Sequence, residues 1–285
     1  MTDVDYGAIA REAGLERVGA RPPLAAYLRD AWHRRDFAWT LARFRIEASL
    51  GNNRLGLGWI VLRPILLAAM FGLVFGLIMS SDTRPDNFLP FLVTGVFIFE
   101  FFSVSFSQGS RSITSNASLV RSLSFPRILL PIATVMQRIF ELVPMMVVLS
   151  VILIAFGEPV TWAWLLAPVV LGVMTLFNLG VALIAARLTV HIRDITQVIP
   201  ILTRLIFYSS GIFYSLELVL ADKPDVLRIA QLNPVHDFIA LVRAQMVSGN
   251  HQTNEMWIVA IVATVAALSI GVVFFWRAEE RYGHD

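Results

Sequence analysis

Five charged residues interrupt otherwise apolar stretches of this 285-residue chain: Arg63, Glu100, Arg138, Glu141 and Arg204. A lone charge in lipid costs on the order of 3 kcal/mol or more, so each must face protein, water or a ligand. Three kinds of chemistry follow. The carboxylates could relay protons, the guanidinium groups could hold a phosphate or pyrophosphate through paired N–H donors, or opposite charges could simply pair. Arg138 and Glu141 lie three apart, a helical spacing at which they pair directly. Arg63 and Arg204 have no evident partner in sequence and are the first candidates for substrate contact, with Glu100 and Arg138 beside them. Tyr208 and Tyr214 join this pathway set, because a buried phenol needs a polar partner.

Other chemistries find little support. There is no cysteine, so disulfides and thiolate metal sites are excluded. The five histidines (33, 191, 236, 251 and 284) are scattered. Asp82 and Asp86 are close but lack a His or a second acidic pair, which disfavours a membrane-embedded hydrolase or glycosyltransferase. No Gly-x-x-x-x-Gly-Lys occurs, and the single lysine, Lys223, sits in Asp222-Lys223-Pro224, so the chain does not cradle nucleotide phosphates itself. No catalytic residue, metal, resident cofactor or nucleic-acid partner is expected.

The elements that must position these residues are membrane spans. Hydrophobic residues make up 56% of the chain and charged ones only 15%, against about 25% in soluble domains. Six apolar stretches, 57–79, 88–107, 128–156, 162–186, 195–215 and 256–276, approach or exceed the ~20 residues a helix needs to cross. The expected fold is all-α: six transmembrane helices, cytoplasmic amphipathic helices at the N-terminus (1–55), a transmembrane domain (56–276) and a short tail (277–285). Nine arginines precede residue 56, three fall in 108–127, two in 187–194 and two after 276. By the positive-inside rule these segments, and both termini, are cytoplasmic.

Within the N-terminal region, Leu24, Tyr27, Leu28, Ala31 and Trp32 share one helical face. Phe37, Leu41, Phe44 and Ala48 are expected to share another, in a helix lying on the membrane surface. Between spans five and six, Asn233 and Pro234 read as N-cap and first residue of a helix that Gly249 stops. Its apolar stripe is Val235, Phe238, Ile239, Val242 and Met246. It is expected to dip into the membrane from the outer side, after a short helix near 222–231.

Residues 115–131, SNASLVRSLSFPRILLP, put a polar, basic piece between two spans. Ser115 or Asn116 can cap a short helix to about Ser124, and Pro126 begins the next span. This stretch resembles the Asn-x-x-Leu-Val-(basic)…Phe-Pro-Arg…Leu-Pro signature of the transmembrane subunit of ABC-2 type exporters, in the polysaccharide branch. LGLGWIVLRPILLAAMFGLVFG (55–76), ARLTVHIRDITQVIP (186–200), FYSSGIFYSLE (207–217) and LNPVHDFIALVRA (232–244) resemble further motifs of that family, from about residue 38 onward. The first 37 residues show no family pattern. The arginine-rich composition fits an actinobacterial member, such as the galactan exporters of mycobacteria.

The resemblance implies a coupling helix at Asn116, Ala117, Ser118, Leu119, Val120, Arg121 and Ser122 that docks on a cytoplasmic ATPase subunit. It implies outer gate helices over 222–247, with Leu227, Ala230, Asn233, Pro234 and Phe238. Two ATPase copies binding ATP and Mg, a homodimer of this chain, membrane lipid and a lipid-linked polysaccharide substrate complete the expected partners. The expected location is the bacterial cytoplasmic membrane. Two rivals are an ABC-2 exporter of small molecules and an ion-coupled transporter using Glu100 and Glu141 as relays. The phenylalanines of span two (97, 99, 101, 102 and 106) are expected to face lipid rather than cargo.

Overall fold

The computed structural model describes residues 22–52, 58–78, 87–192 and 194–279. These are helical, without strands. Two helices, α1 (Leu24–His33) and α2 (Arg35–Asn52), lead into α3 (Gly58–Ile78) and α4 (Phe88–Ser110). A 3-10 turn (Thr114–Asn116) and the short α5 (Ala117–Ser122) connect to α6 (Leu129–Ala155) and α7 (Ala167–His191). Then come α8 (Ile195–Ser209), three short helices α9 (Leu216–Val219), α10 (Pro224–Ala230) and α11 (Pro234–Met246), and α12 (Asn254–Trp276). Asp82, Asp86, residues 1–21, Arg193 and most of the tail lie outside the described residues.

Among the described residues, five helical segments are long and apolar enough to cross a membrane: Gly58–Phe75, Phe88–Ser110, Leu129–Ala155, Trp162–His191 and Asn254–Trp276. The stretch expected as a fifth crossing over 195–215 differs. Its helix α8 stops at Ser209 after 15 residues, about 22 Å of rise against a ~30 Å hydrocarbon core. The chain then turns through Gly211, whose φ of +61° suits a residue without Cβ.

The helix at the centre is α4, 83% of whose apolar window is buried, whereas only 11% of the apolar window of α3 is covered. Phe97, Phe99, Phe101 and Phe102 are therefore inside the protein rather than facing lipid as expected. They sit on the helix that α3, α6, α7 and α11 all pack against. The most extensive pairing joins α7 to α12. There a Cβ on Gly180 would overlap the backbone at Ala267, and one on Gly271 would meet the Gly180 carbonyl within about 2.5 Å. Without a hydrophobic drive between helices in lipid, such close backbone approach supplies the packing.

Helix α2, expected to lie on the membrane surface, packs against α6. Ala38 and Ala42 are buried against the bundle while Phe44 is exposed. Small side chains let α2 approach α6 closely, and the bulky Trp39 and Phe44 turn outward; Trp39 meets Phe140 edge-on at 4.9 Å.

Candidate coupling and transport site

The segment joining α4 to α6 is shaped by local side-chain bonds. Ser115 Oγ donates to the Arg111 carbonyl (2.7 Å), Asn116 Nδ2 to the Ser112 carbonyl (2.7 Å), and Ser122 Oγ to the Ser118 carbonyl (2.8 Å). Asn116 stands at the N-cap position of α5, but its side chain caps no backbone N–H. Its Oδ1 instead accepts from Arg45 of α2 at 3.0 Å, and Arg45 also donates to Thr134 Oγ1 of α6 at 2.9 Å. Burial and the nearby Arg138 charge hold the Arg45 guanidinium below its ordinary pKa.

The exit of the segment is tied down as firmly. Arg34 donates to the Ser124 carbonyl at 2.7 Å. The Tyr27 hydroxyl donates to Glu279 Oε2 (2.7 Å) and accepts from the Ile128 N–H (3.1 Å). Glu279 in turn accepts from the Arg127 N–H at 3.0 Å. Its carboxyl is pushed above the usual range by burial, partly offset by those two donors and the Arg127 charge. Helices α1 and α2 and the end of α12 thus hold α5 from both sides.

On α5 itself Ala117, Ser118, Arg121 and Ser122 are exposed and Leu119 is half-buried. Val120 is buried, in the apolar cluster that contains Tyr27, Ile113 and Ile128. The expectation that Val120 faces a partner is corrected, because the helix turns that residue toward its own bundle. The exposed apolar residue next to α5 is Leu123.

Among the charges within spans, Arg63 does have a partner. It pairs with Glu100 across α3 and α4 at 3.2 Å. Arg138 and Glu141 are bonded to each other, and Gln137 donates to Glu141 at 3.0 Å. Arg204 is exposed on α8 and forms no ion pair among the described residues. Both glutamates are therefore neutralised locally, so they read as parts of ion pairs rather than free proton carriers.

An aromatic cluster joins α3, α4, α8 and the turn after α8. Phe75 stacks on Phe213 at 4.3 Å, Phe71 lies 5.3 Å from Phe207, and Phe99 meets Phe207 edge-on at 5.0 Å. The Tyr214 hydroxyl donates to the Tyr208 carbonyl at 2.6 Å, and the Tyr208 ring is half exposed. Of the two tyrosines singled out from sequence, Tyr208 presents its ring outward and Tyr214 braces the turn.

At the opposite end of the bundle from α5, α11 is docked by Asn233 and Arg243. Asn233 Oδ1 accepts from the Val235 N–H (3.1 Å), as an N-cap does, and Nδ2 donates to Ser210 Oγ (2.9 Å). Arg243, 2% exposed, donates to the carbonyls of Phe91 (3.0 Å), Gly211 (2.9 Å) and Ile212 (2.7 Å). It also lies over the Phe91 ring at 3.4 Å, in space that any side chain at Gly95 would take. Pro234 is half-buried, as are Leu227 and Ala230 on α10. Phe238, expected at an outer mouth, is fully buried and 5.5 Å from Phe177, so it belongs to the core.

Sequence reading missed Tyr27, Arg45, Arg243 and Glu279 as anchors. Only Arg243 carried a signal, a charge within an otherwise apolar helical stripe.

A bundle of long apolar helices, with a clamped polar helix at one end, defines a multi-pass membrane protein. The chain belongs to the ABC-2 type transporter family, whose model matches residues 37–247. It is 27% identical over 225 residues to the O-antigen export system permease protein RfbA of Klebsiella pneumoniae, covering 77% of this chain and 84% of that one. It is 25% identical over 255 residues to the protein of the same name from Myxococcus xanthus, covering 90% and 94%.

Proposed function

We propose that this chain is the membrane-spanning subunit of an ATP-driven exporter that moves a lipid-linked polysaccharide across the cytoplasmic membrane. The observation that carries the reading is the clamped α5. A six-residue helix with an exposed polar face, tied at entry by Arg45 and at exit by Arg34, Tyr27 and Glu279, transmits a push to α4 and α6 together. The push comes from two cytoplasmic ATPase subunits, which hold the ATP and Mg. Two copies of this chain receive it, and their α3 and α8 faces, largely uncovered in one copy, line the conduit. Both termini are cytoplasmic, and α9–α11 lie at the outer mouth.

A polysaccharide cargo is favoured over a small molecule by the relatives' names. An ion-coupled mechanism is disfavoured by the pairing of Glu100 and Glu141. The decisive experiment depletes the protein in cells and identifies the polymer that accumulates in the cytoplasm. A lipid-linked glycan is expected; no glycan accumulation would sink the proposal.

A further inference from the structure

Beside the start of α6, an open groove of about 580 Å3 runs between α1, α2 and α6. Its form follows from residue size. Ala31 and Ala38, both buried, are too small to fill the space between the exposed Trp32 and Trp39. The α6 wall extends from Leu129 to Met136, about 10 Å of helix rise. Ile132 and Met136 on that wall are only half-buried. The same stripe continues along α6 as Ile139, Val143 and Val147, at steps of three and four residues, and all three are exposed. Helix α6 is long and apolar enough to cross a membrane, and the conduit faces proposed above lie on α3 and α8. The exposed stripe therefore meets acyl chains, and the groove is its continuation at the α5 end.

The rim of the groove is polar and carries both signs. Arg35 and Asp36 line it, both are exposed, and neither forms an ion pair among the described residues. The Arg35 guanidinium lies 5.1 Å from the centre of the Trp32 ring, and it donates to the Trp32 carbonyl at a long 3.4 Å. Arg34, by contrast, is taken up by Asp30 and the Ser124 carbonyl. Arg29, exposed one turn before Trp32, adds a second cation without an ion pair among the described residues. Arginine and tryptophan at the end of an apolar wall are the side chains of a membrane–water boundary. A guanidinium gives phosphate paired donors, and basic pockets beside membrane helices take lipid headgroups in this way. The Asp36 carboxylate at the same mouth repels a purely anionic headgroup and attracts an amine.

We infer that this groove is a phospholipid site. One acyl chain lies along Ile132 and Met136, the phosphate meets Arg35, and a headgroup amine meets Asp36. The class is a glycerophospholipid with a primary amine, of which phosphatidylethanolamine is the simplest probe. The inference uses only the insertion of the chain in a membrane and is independent of the cargo. Its consequence is mechanical: the lipid fills the seam between α2 and α6, so the hold of Arg45 on Asn116 and Thr134 depends on an occupied groove.

The test uses the full chain with its ATPase partner in phosphatidylglycerol vesicles that contain no glycan. A small share of the lipid carries a diazirine on one acyl chain, with either a phosphatidylethanolamine or a phosphatidylglycerol headgroup. After ultraviolet light, mass spectrometry compares lipid attached to residues 129–136 with lipid attached to residues 143–147, which report bulk contact. The amine probe should label the groove at least five-fold more than the glycerol probe, with no such difference at 143–147. Arg35→Gln combined with Asp36→Asn removes both rim charges at exposed positions and should abolish the preference; labelling at 143–147 confirms that the variant is inserted. Equal labelling of the groove by the two probes in the parent overturns the site, leaving ordinary surrounding lipid. A preference for the glycerol probe overturns the headgroup assignment, and a preference that survives in the double variant overturns the roles of Arg35 and Asp36. A benzophenone amino acid at Leu28, exposed at the groove, adds a control. If it cross-links two copies of the chain, the groove belongs to a second copy and the lipid is overturned. None of these outcomes bears on the exporter reading, which the depletion experiment decides separately.

Discussion

Arg243 holds α11 in place by filling three backbone carbonyls from two other segments. It has no carboxylate partner within bonding distance among the described residues, and burial lowers its pKa to about 9, so it remains charged near neutrality. Truncating a buried, hydrogen-bonded charge strands its acceptors and opens a cavity. Arg243→Ala is expected to destabilise the protein by about 3 kcal/mol or more. Arg243→Lys should recover only part of this, because an ammonium cannot reproduce the planar fork. Thermal unfolding in detergent distinguishes the two; equal melting temperatures for Arg243→Ala and the parent would refute the anchor. Asp237 makes a prediction of the other sign. It stays protonated in the fold up to about pH 8, against 3.8 ordinarily, so the folded state binds the extra proton across that window. Its contribution to stability is full below 3.8 and is lost as pH rises toward 8. The melting temperature should fall from about pH 5 to 8, and Asp237→Asn should flatten that slope. The difference in slope between the two proteins reports the Asp237 carboxyl; identical slopes would remove it.

At the scale of elements, the N-terminal helices do more than rest on a membrane surface. Helices α1 and α2 grip the α4–α6 connection at Asn116, Ser124 and Ile128. The buried Ala38 and Ala42 bring α2 close enough for Arg45 to reach both Thr134 and Asn116. If this grip passes the ATPase stroke to the spans, Arg45→Ala should uncouple the machine. Export should fall at least ten-fold while ATP hydrolysis by the assembled complex persists, a transport-to-hydrolysis ratio that simple misfolding would not change selectively. Proportional loss of both activities would make Arg45 a stability residue only.

At the scale of the whole molecule, the proposed dimer must form through helices that one chain leaves uncovered. Helix α4 is enclosed within one chain, whereas α3 leaves Met70 and Leu73 exposed and α8 leaves Ile201 and Leu205 exposed. Because the chain has no cysteine, introduced thiols report without background. Cysteines placed together at Met70 and Ile201 should cross-link two copies within the membrane, and a cysteine at Val262 should not. Single cysteines at Ser118 and Asp225 should label from opposite faces of the membrane, as the arginine distribution requires. Labelling of both from one face would break the topology, and no cross-link from α3 or α8 would move the dimer interface elsewhere.

Helix positions were legible in the chain because lipid imposes length and apolarity directly on sequence. The bounds of α3, α4, α6 and α12 lie within three residues of the expected spans, and Asn233-Pro234 starts α11 where its capping chemistry requires. The Arg138–Glu141 pair was likewise readable, since three residues along a helix fix its geometry. What the sequence did not determine were contacts made across the fold. Arg63 meets Glu100 from another helix, Tyr27 meets Glu279 from 252 residues away, and Phe97 is buried only because four helices surround α4. In a membrane protein a phenylalanine is equally at home against lipid or against protein, so hydropathy is silent on which face is inside. Tertiary packing decides it, through close approach at residues such as Ala42, Gly95 and Gly180 and through buried polar groups that must find partners.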